Sequence, residues 1–163
     1  MKVLLVSGSP TFTALVTTAM TDGDQVTYTE VRRPERALAL LDEGASGEGE
    51  TFDIVLADND TQPTGGFYLA REMKARARMG VELPPVVLVI AREQDHYLAR
   101  WAEADAWILK PIDPFDLAEA VEALVERRPM PRLPGVWTFE QAGAIEGPGQ
   151  AGELPQPSAP SAE

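Results

Sequence analysis

Phe52-Asp53-Ile54-Val55-Leu56-Ala57-Asp58 is an apolar strand that ends in a carboxylate. Its continuous apolar run is that of a strand buried on both faces, which belongs to a parallel sheet rather than a solvated one. Working outward, three more runs have the same character: Val3–Val6 ahead of it, Pro85–Ile90 and Ala106–Leu109 behind it. Val26–Val31 reads as a half-exposed strand. Between them lie segments of helical spacing: from Pro10, with Phe12, Leu15, Val16, Ala19 and Met20; from Pro34, with Ala37, Leu38, Leu40 and Leu41; then about Gly66–Arg78, Glu93–Glu103 and Phe115–Arg127. Proline suits a first helical position because its missing N–H has no partner there. Asp22-Gly23-Asp24 reads as a turn, and Gly44–Glu50 as a polar, glycine-rich loop. Strands alternating with helices predict an α/β fold, a doubly wound five-stranded parallel sheet. In such sheets the working site lies at the carboxyl ends of the strands. Ser7, Asp58, Ala91 and Lys110 fall there.

Composition narrows the function classes. The 163 residues are 44% apolar, enough for one core and some excess chain. No cysteine is present, which excludes a disulfide framework, a thiolate nucleophile and a cysteine zinc site. The net charge of −12 disfavours nucleic acid and anionic membrane surfaces as partners. Arg32-Arg33 and Lys74–Arg78 read as solvated faces. No apolar run is long enough for direct membrane insertion, and a cytoplasmic location is expected. The reading divides the chain into a domain over 1–127 and an irregular Pro/Gly-rich tail over 128–163. Within that tail Leu133, Val136, Trp137, Phe139 and Ile145 are apolar, and a docking arm for another protein is expected from Leu133, Val136, Trp137 and Phe139, the competing reading being that Trp137 and Phe139 fold back over the domain's own helices.

Three segments carry a resemblance. Asp53–Asp58 is followed by Gly66-Phe67; Pro85–Arg92 forms the next strand; and Ala104-Asp105-Ala106-Trp107-Ile108-Leu109-Lys110-Pro111 ends in a lysine and a proline. Together they resemble the receiver domain of two-component response regulators, the CheY-like family, over about Lys2–Arg127. The resemblance implies a flavodoxin-like sheet of order 2-1-3-4-5. It matches Asp58 to the phosphoacceptor aspartate, Lys110 to the lysine that bridges to it, and Trp107 to an aromatic switch residue. It also implies a cis bond at Lys110-Pro111. The family's magnesium-holding acidic pair falls on Ser7 and Gly8, and its hydroxyl switch residue falls on Ile90.

Those departures matter chemically. A carboxylate attacking an anionic phosphoryl donor needs charge neutralised at the transferring oxygens. Magnesium held by carboxylates does this, and Ser7 and Gly8 supply no charge. Ile90 cannot donate the hydrogen bond that would couple phosphorylation to a shape change. The expectation is a degenerate receiver without an output domain: no enzyme, no cofactor, no bound Mg²⁺. It would act by protein–protein contact, in signalling or as an accessory subunit, through the Arg92–Arg127 face or the tail. Two alternatives stand beside it: a conventional phosphorelay receiver phosphorylated at Asp58, and a flavodoxin-like protein holding flavin mononucleotide at Ser7-Gly8-Ser9-Pro10-Thr11. Asp58-Asn59-Asp60 on a third strand does not suit a haloacid-dehalogenase-type phosphatase, and Pro63 in the sixth position excludes an EF-hand. Other readings are structural. Asp58 would cap the Thr61–Gly66 turn, Trp107 would be core, Trp101 would be core or a partner contact, and His96 would be a solvated surface residue.

Overall fold

The computed structural model describes residues 1–20, 25–60 and 65–145, with side chains to residue 142. The turn read at 22–24, residues 61–64 with Pro63, and the chain after 145 lie outside the described residues. The elements are β1 (Lys2–Val6), α1 (Pro10–Ala19), β2 (Thr27–Val31), α2 (Pro34–Ala45), β3 (Ile54–Asp58), α3 (Gly65–Arg78), β4 (Val86–Ile90), α4 (His96–Trp101), β5 (Ala106–Leu109), α5 (Pro114–Val125), β6 (Val136–Trp137) and α6 (Phe139–Ile145). The sheet order is β2-β1-β3-β4-β5-β6. The first five strands are parallel, in the expected 2-1-3-4-5 order. β6 pairs antiparallel with β5, Trp107 opposite Trp137 and Ile108 opposite Val136.

Strand alternation divides the core into two layers. Val3, Leu5, Ile54, Leu56, Val87 and Val89 face α1 and α5, meeting Phe12, Val16, Leu117 and Val121. Leu4, Val6, Val55, Val86 and Leu88 face the other side, meeting Leu38 and Leu41 of α2, Leu69 and Met73 of α3, and Ala99 of α4. Helix starts follow local chemistry. Ser9 caps α1, its hydroxyl accepting from the Phe12 N–H, with Pro10 in the first turn. Asp113 caps α5 by accepting from the Phe115 and Asp116 N–H groups. The Gly44–Glu50 loop closes tightly on α2. The Glu48 and Gly49 N–H groups both return to the Glu43 carbonyl, and Gly47 supplies the left-handed turn at φ +81°.

Two sequence expectations change. The helix expected from Glu93 is a 3-10 turn over Glu93–Asp95 that leads into a short α4. The folded unit also runs past Arg127. Val136 is buried on the α5 layer, Leu133 packs beside it, and Trp137 packs on the opposite layer. The Gly135 N–H donates to Asp116, and the Leu109 N–H donates to the Gly135 carbonyl. A free docking arm is therefore corrected for Leu133, Val136 and Trp137. Burying their apolar surface on the β5 edge in the same chain requires no second molecule. Only Phe139 of that set stays exposed, at 50%.

Candidate functional site

β3 and β5 deliver the two charged residues to one edge of the sheet. Asp58 is the last residue of β3 and is 2% exposed. Lys110 follows β5, and its ammonium lies 3.1 Å from Asp58 Oδ1 and 3.2 Å from Asp60 Oδ2. The Lys110 backbone N–H is fixed by the Ile90 carbonyl, and the Lys110-Pro111 bond is cis. Asp58 Oδ1 also accepts from the Asp60 N–H at 3.2 Å. Its other oxygen accepts from the Ser7 hydroxyl at 3.2 Å. Ser7 is fully buried at the end of β1, and its Oγ accepts in turn from the Ser9 N–H. This is a closed network in which a buried carboxylate is met by an ammonium, a hydroxyl and an amide.

Close approach of β3 to α3 completes the floor. A Cβ on Gly66 would come within 3.0 Å of a Leu88 methyl and 3.3 Å of the Asn59 Cα. Asn59 Oδ1 accepts from the Phe67 N–H and ties the site's rim to α3. Electrostatically, partial burial pulls the Lys110 pKa down, but the hydrogen bond and charge of Asp58, then of Asp60, outweigh it and hold it above the ordinary lysine value.

The donors at this edge differ from those a divalent cation needs. Gly8 is exposed and brings no side chain, and the Ser7 hydroxyl points at Asp58. The two carboxylates present, Asp58 and Asp60, are both engaged by Lys110. Among the described residues no group of three or more His, Asp or Glu side chains is placed to hold a metal ion. The residues present fall short of a carboxylate cage for a hard divalent cation. Ser7 and Ser9 spend their hydroxyls on Asp58 and on the α1 cap, as a capping turn does, rather than opening toward an external phosphate.

Switch-position residues sit deep. Ile90 and Trp107, the two residues expected at switch positions, are fully buried, so the Trp107 ring is part of the core. Its indole N–H donates to His96 Nδ1 at 2.8 Å. The His96 ring meets Trp137 edge-on, with centroids 4.4 Å apart. His96 is thus half-buried between two tryptophans and is not the solvated residue expected from the sequence. Its neighbour Asp95 signalled the difference poorly: it is 5% exposed and doubly bonded to the Arg92 guanidinium.

An exposed aromatic face adjoins this region. Tyr97 and Trp101 of α4 and Phe139 of α6 line one groove with Arg71 and Arg100. The Arg71 guanidinium stacks 4.6 Å from the Trp101 ring, and that of Arg100 lies 5.2 Å from the Phe139 ring.

Five parallel strands with a carboxylate and a lysine paired at their carboxyl edge are the arrangement that the resemblance to receiver domains implied. Similar proteins agree. The chain is 29% identical over 104 residues to an uncharacterized response regulatory protein of Mycobacterium tuberculosis, found in two strains; the match spans 64% of this chain and 71% of the relative. Among solved structures it resembles a CheY-like receiver domain from Methanospirillum hungatei, at 22% identity and TM-score 0.58 over 77% of this chain and 94% of the other. It also resembles the phosphorylated cyanobacterial phytochrome response regulator RcpA, at 20% identity and TM-score 0.63 over 80% and 98%. No family model matches the chain. The chain therefore has the fold of CheY-like receiver domains and is similar in sequence to a response regulatory protein. Among the described residues no helix is long and apolar enough to cross a membrane.

Proposed function

We propose that this receiver works by protein contact, with phosphoryl acceptance at Asp58 weak or absent. The observation that carries the reading is the closed network at Asp58. Lys110 lies 3.1 Å away on one oxygen and the Ser7 hydroxyl 3.2 Å away on the other, where the family would bring carboxylates and a metal. A carboxylate whose oxygens are already neutralised needs no cation for its own stability. An incoming anionic phosphoryl donor then meets Asp58 and Asp60 with one lysine as the positive counterpart, and the charge developing on its oxygens goes largely uncompensated. Ile90 in place of a hydroxyl removes the donor that would follow a phosphoryl group. No turnover chemistry is assigned to the site.

The contact surface is the Tyr97–Trp101–Phe139 face. Three large rings, 67%, 56% and 50% exposed, sit together beside two arginines. Clustered exposed aromatics and arginine are the composition of protein-interface hot spots. The surface joins residues of the Arg92–Arg127 segment to Phe139 of the C-terminal segment. Both expected partner regions thereby become one patch.

Incubation with acetyl phosphate and Mg²⁺, followed by intact mass, is expected to add little or no phosphate to the native chain. Restoring acids with Ser7→Asp and Gly8→Asp is expected to raise labelling. Rapid stoichiometric labelling of the native chain, lost in Asp58→Ala, would establish the conventional phosphorelay role instead. For the surface, affinity isolation with native and Trp101→Ala/Phe139→Ala chains is the comparison. Recovery of the same proteins from both refutes that face.

A further inference from the structure

We propose that residues 133–142 form a latch on the outer edge of β5, that the neutral imidazole of His96 fastens it by joining Trp107 to Trp137, and that protonating or removing that imidazole opens it.

The geometry constrains the imidazole. Indole N–H is a donor and never an acceptor, so His96 Nδ1, 2.8 Å from Trp107 Nε1, must carry a lone pair. The ring is then neutral with its proton on Nε2. Protonation places an N–H at Nδ1, facing the indole N–H. Two donors then oppose each other, and the Trp107 donor, in a side chain with no solvent exposure, loses its partner. The imidazole must turn away, and the Trp137 ring 4.4 Å from it loses its seat.

Besides the imidazole, β6 is held by its antiparallel pairing with β5 and by the buried Val136. It is two residues long, and its nearby ties are the Leu109 N–H to the Gly135 carbonyl at 3.3 Å and the Gly135 N–H to Asp116 Oδ2 at 3.3 Å. A short edge strand of this kind belongs to the low-stability end of a fold, where one contact decides whether it is docked. The Val136 side chain gives the apolar half of the attachment, and the imidazole gives the polar half.

The charges around His96 are accounted for. Glu93 and Asp95, in the 3-10 turn leading into its helix, favour the protonated form. Asp95 is itself neutralised by Arg92. β5 and β6 present the uncharged Trp107 and Trp137. Arg100 follows one turn later on α4, and Glu140 lies in the first turn of α6. Burial acts first and against the charge, and it wins: the His96 pKa lies below the ordinary histidine value. A depressed value means the closed latch is fully present above about pH 6.5, the unfolded value, and is lost as pH falls through the lower folded value. At neutral pH the latch is shut. Because Trp107 occupies the aromatic switch position, displacing it from His96 by any route, such as partner binding, has the same consequence for β6 and α6.

The test is amide exchange by NMR on the full chain, with the Leu109 amide as reporter and the Asn59 amide, bonded to the Val89 carbonyl inside the sheet, as control. After correction for intrinsic rates, Leu109 protection is expected to fall in native protein over the same acid step in which the Trp107 indole resonance titrates, while Asn59 protection holds. His96→Leu, with no acceptor, is expected to lose roughly tenfold protection at Leu109 at neutral pH, the worth of about one net hydrogen bond. His96→Gln, whose carbonyl can accept, is expected to keep the latch shut and to abolish the pH step. Leu109 protection that stays flat through the indole titration, or His96→Leu as protected as native, overturns the proposal. The native pH series decides alone if His96→Leu does not fold. Asp58→Asn is expected to leave the reporter unchanged, which separates the latch from the phosphoryl site.

Discussion

Lys110→Met removes the cation from the Asp58 network and keeps a side chain of similar length. At 3.1 Å the Coulomb attraction to Asp58 is about 5 kcal/mol at an effective dielectric of ~20. The Lys110 side chain is 32% exposed, so screening by water and the entropy of holding a long side chain cut the pair's net worth to about 2 kcal/mol. What remains in the variant is a carboxylate with 3% side-chain exposure, supported by the Ser7 hydroxyl and the Asp60 N–H. For a domain of this size ~2 kcal/mol lowers Tm by roughly 4–8 °C. The pH dependence has a definite sign. The raised Lys110 pKa gives stabilisation that is present in full at pH 7, below the unfolded lysine value, and is lost as pH rises through the higher folded value. The gap between native and variant melting curves should therefore narrow as pH rises through the folded lysine value. Urea denaturation of Lys110→Met, Asp58→Asn and the double variant closes a cycle that isolates the pair. A coupling below about 0.5 kcal/mol, or a gap that widens as pH rises through the folded lysine value, refutes the reasoning.

Gly66→Ala is expected to lower stability by about 1 kcal/mol or more, because its Cβ would press on a Leu88 methyl at 3.0 Å and on the Asn59 backbone at 3.3 Å; an unchanged urea midpoint counts against that close approach. Val136→Ala removes two buried methyl groups from the α5 layer and should cost about 1–2 kcal/mol. Ending the chain at Arg128 should lower Tm further, since Leu133 and Trp137 go with it. Equal melting of the truncated and native chains would show that the β5 edge does not depend on this segment.

The buried strands were legible because a strand covered on both faces must be apolar at every position, and Val3–Val6, Ile54–Ala57 and Val86–Ile90 are. Helix starts at Pro10 and Pro34 were near-local facts, each favoured by a proline whose missing N–H costs nothing there, with Ser9 capping the first. The parallel sheet followed from strand–helix alternation, its order from the family resemblance, and the carboxyl-edge rule placed Asp58 and Lys110 at one edge. Val136 and Trp137 were different. Two residues between a proline-rich linker and a short helix carry no periodic signal, and their apolar character suits an external partner as well as the chain's own edge. Only the tertiary structure decided between them, because the free hydrogen-bonding edge of β5 exists only once the sheet is assembled. His96 was illegible for the same reason. Its local sequence is polar and solvent-like, and its two tryptophan partners come from strands 11 and 41 residues further along the chain. The local chain determined which segments would be strands and helices; the long-range packing alone determined which polar group each buried side chain would meet.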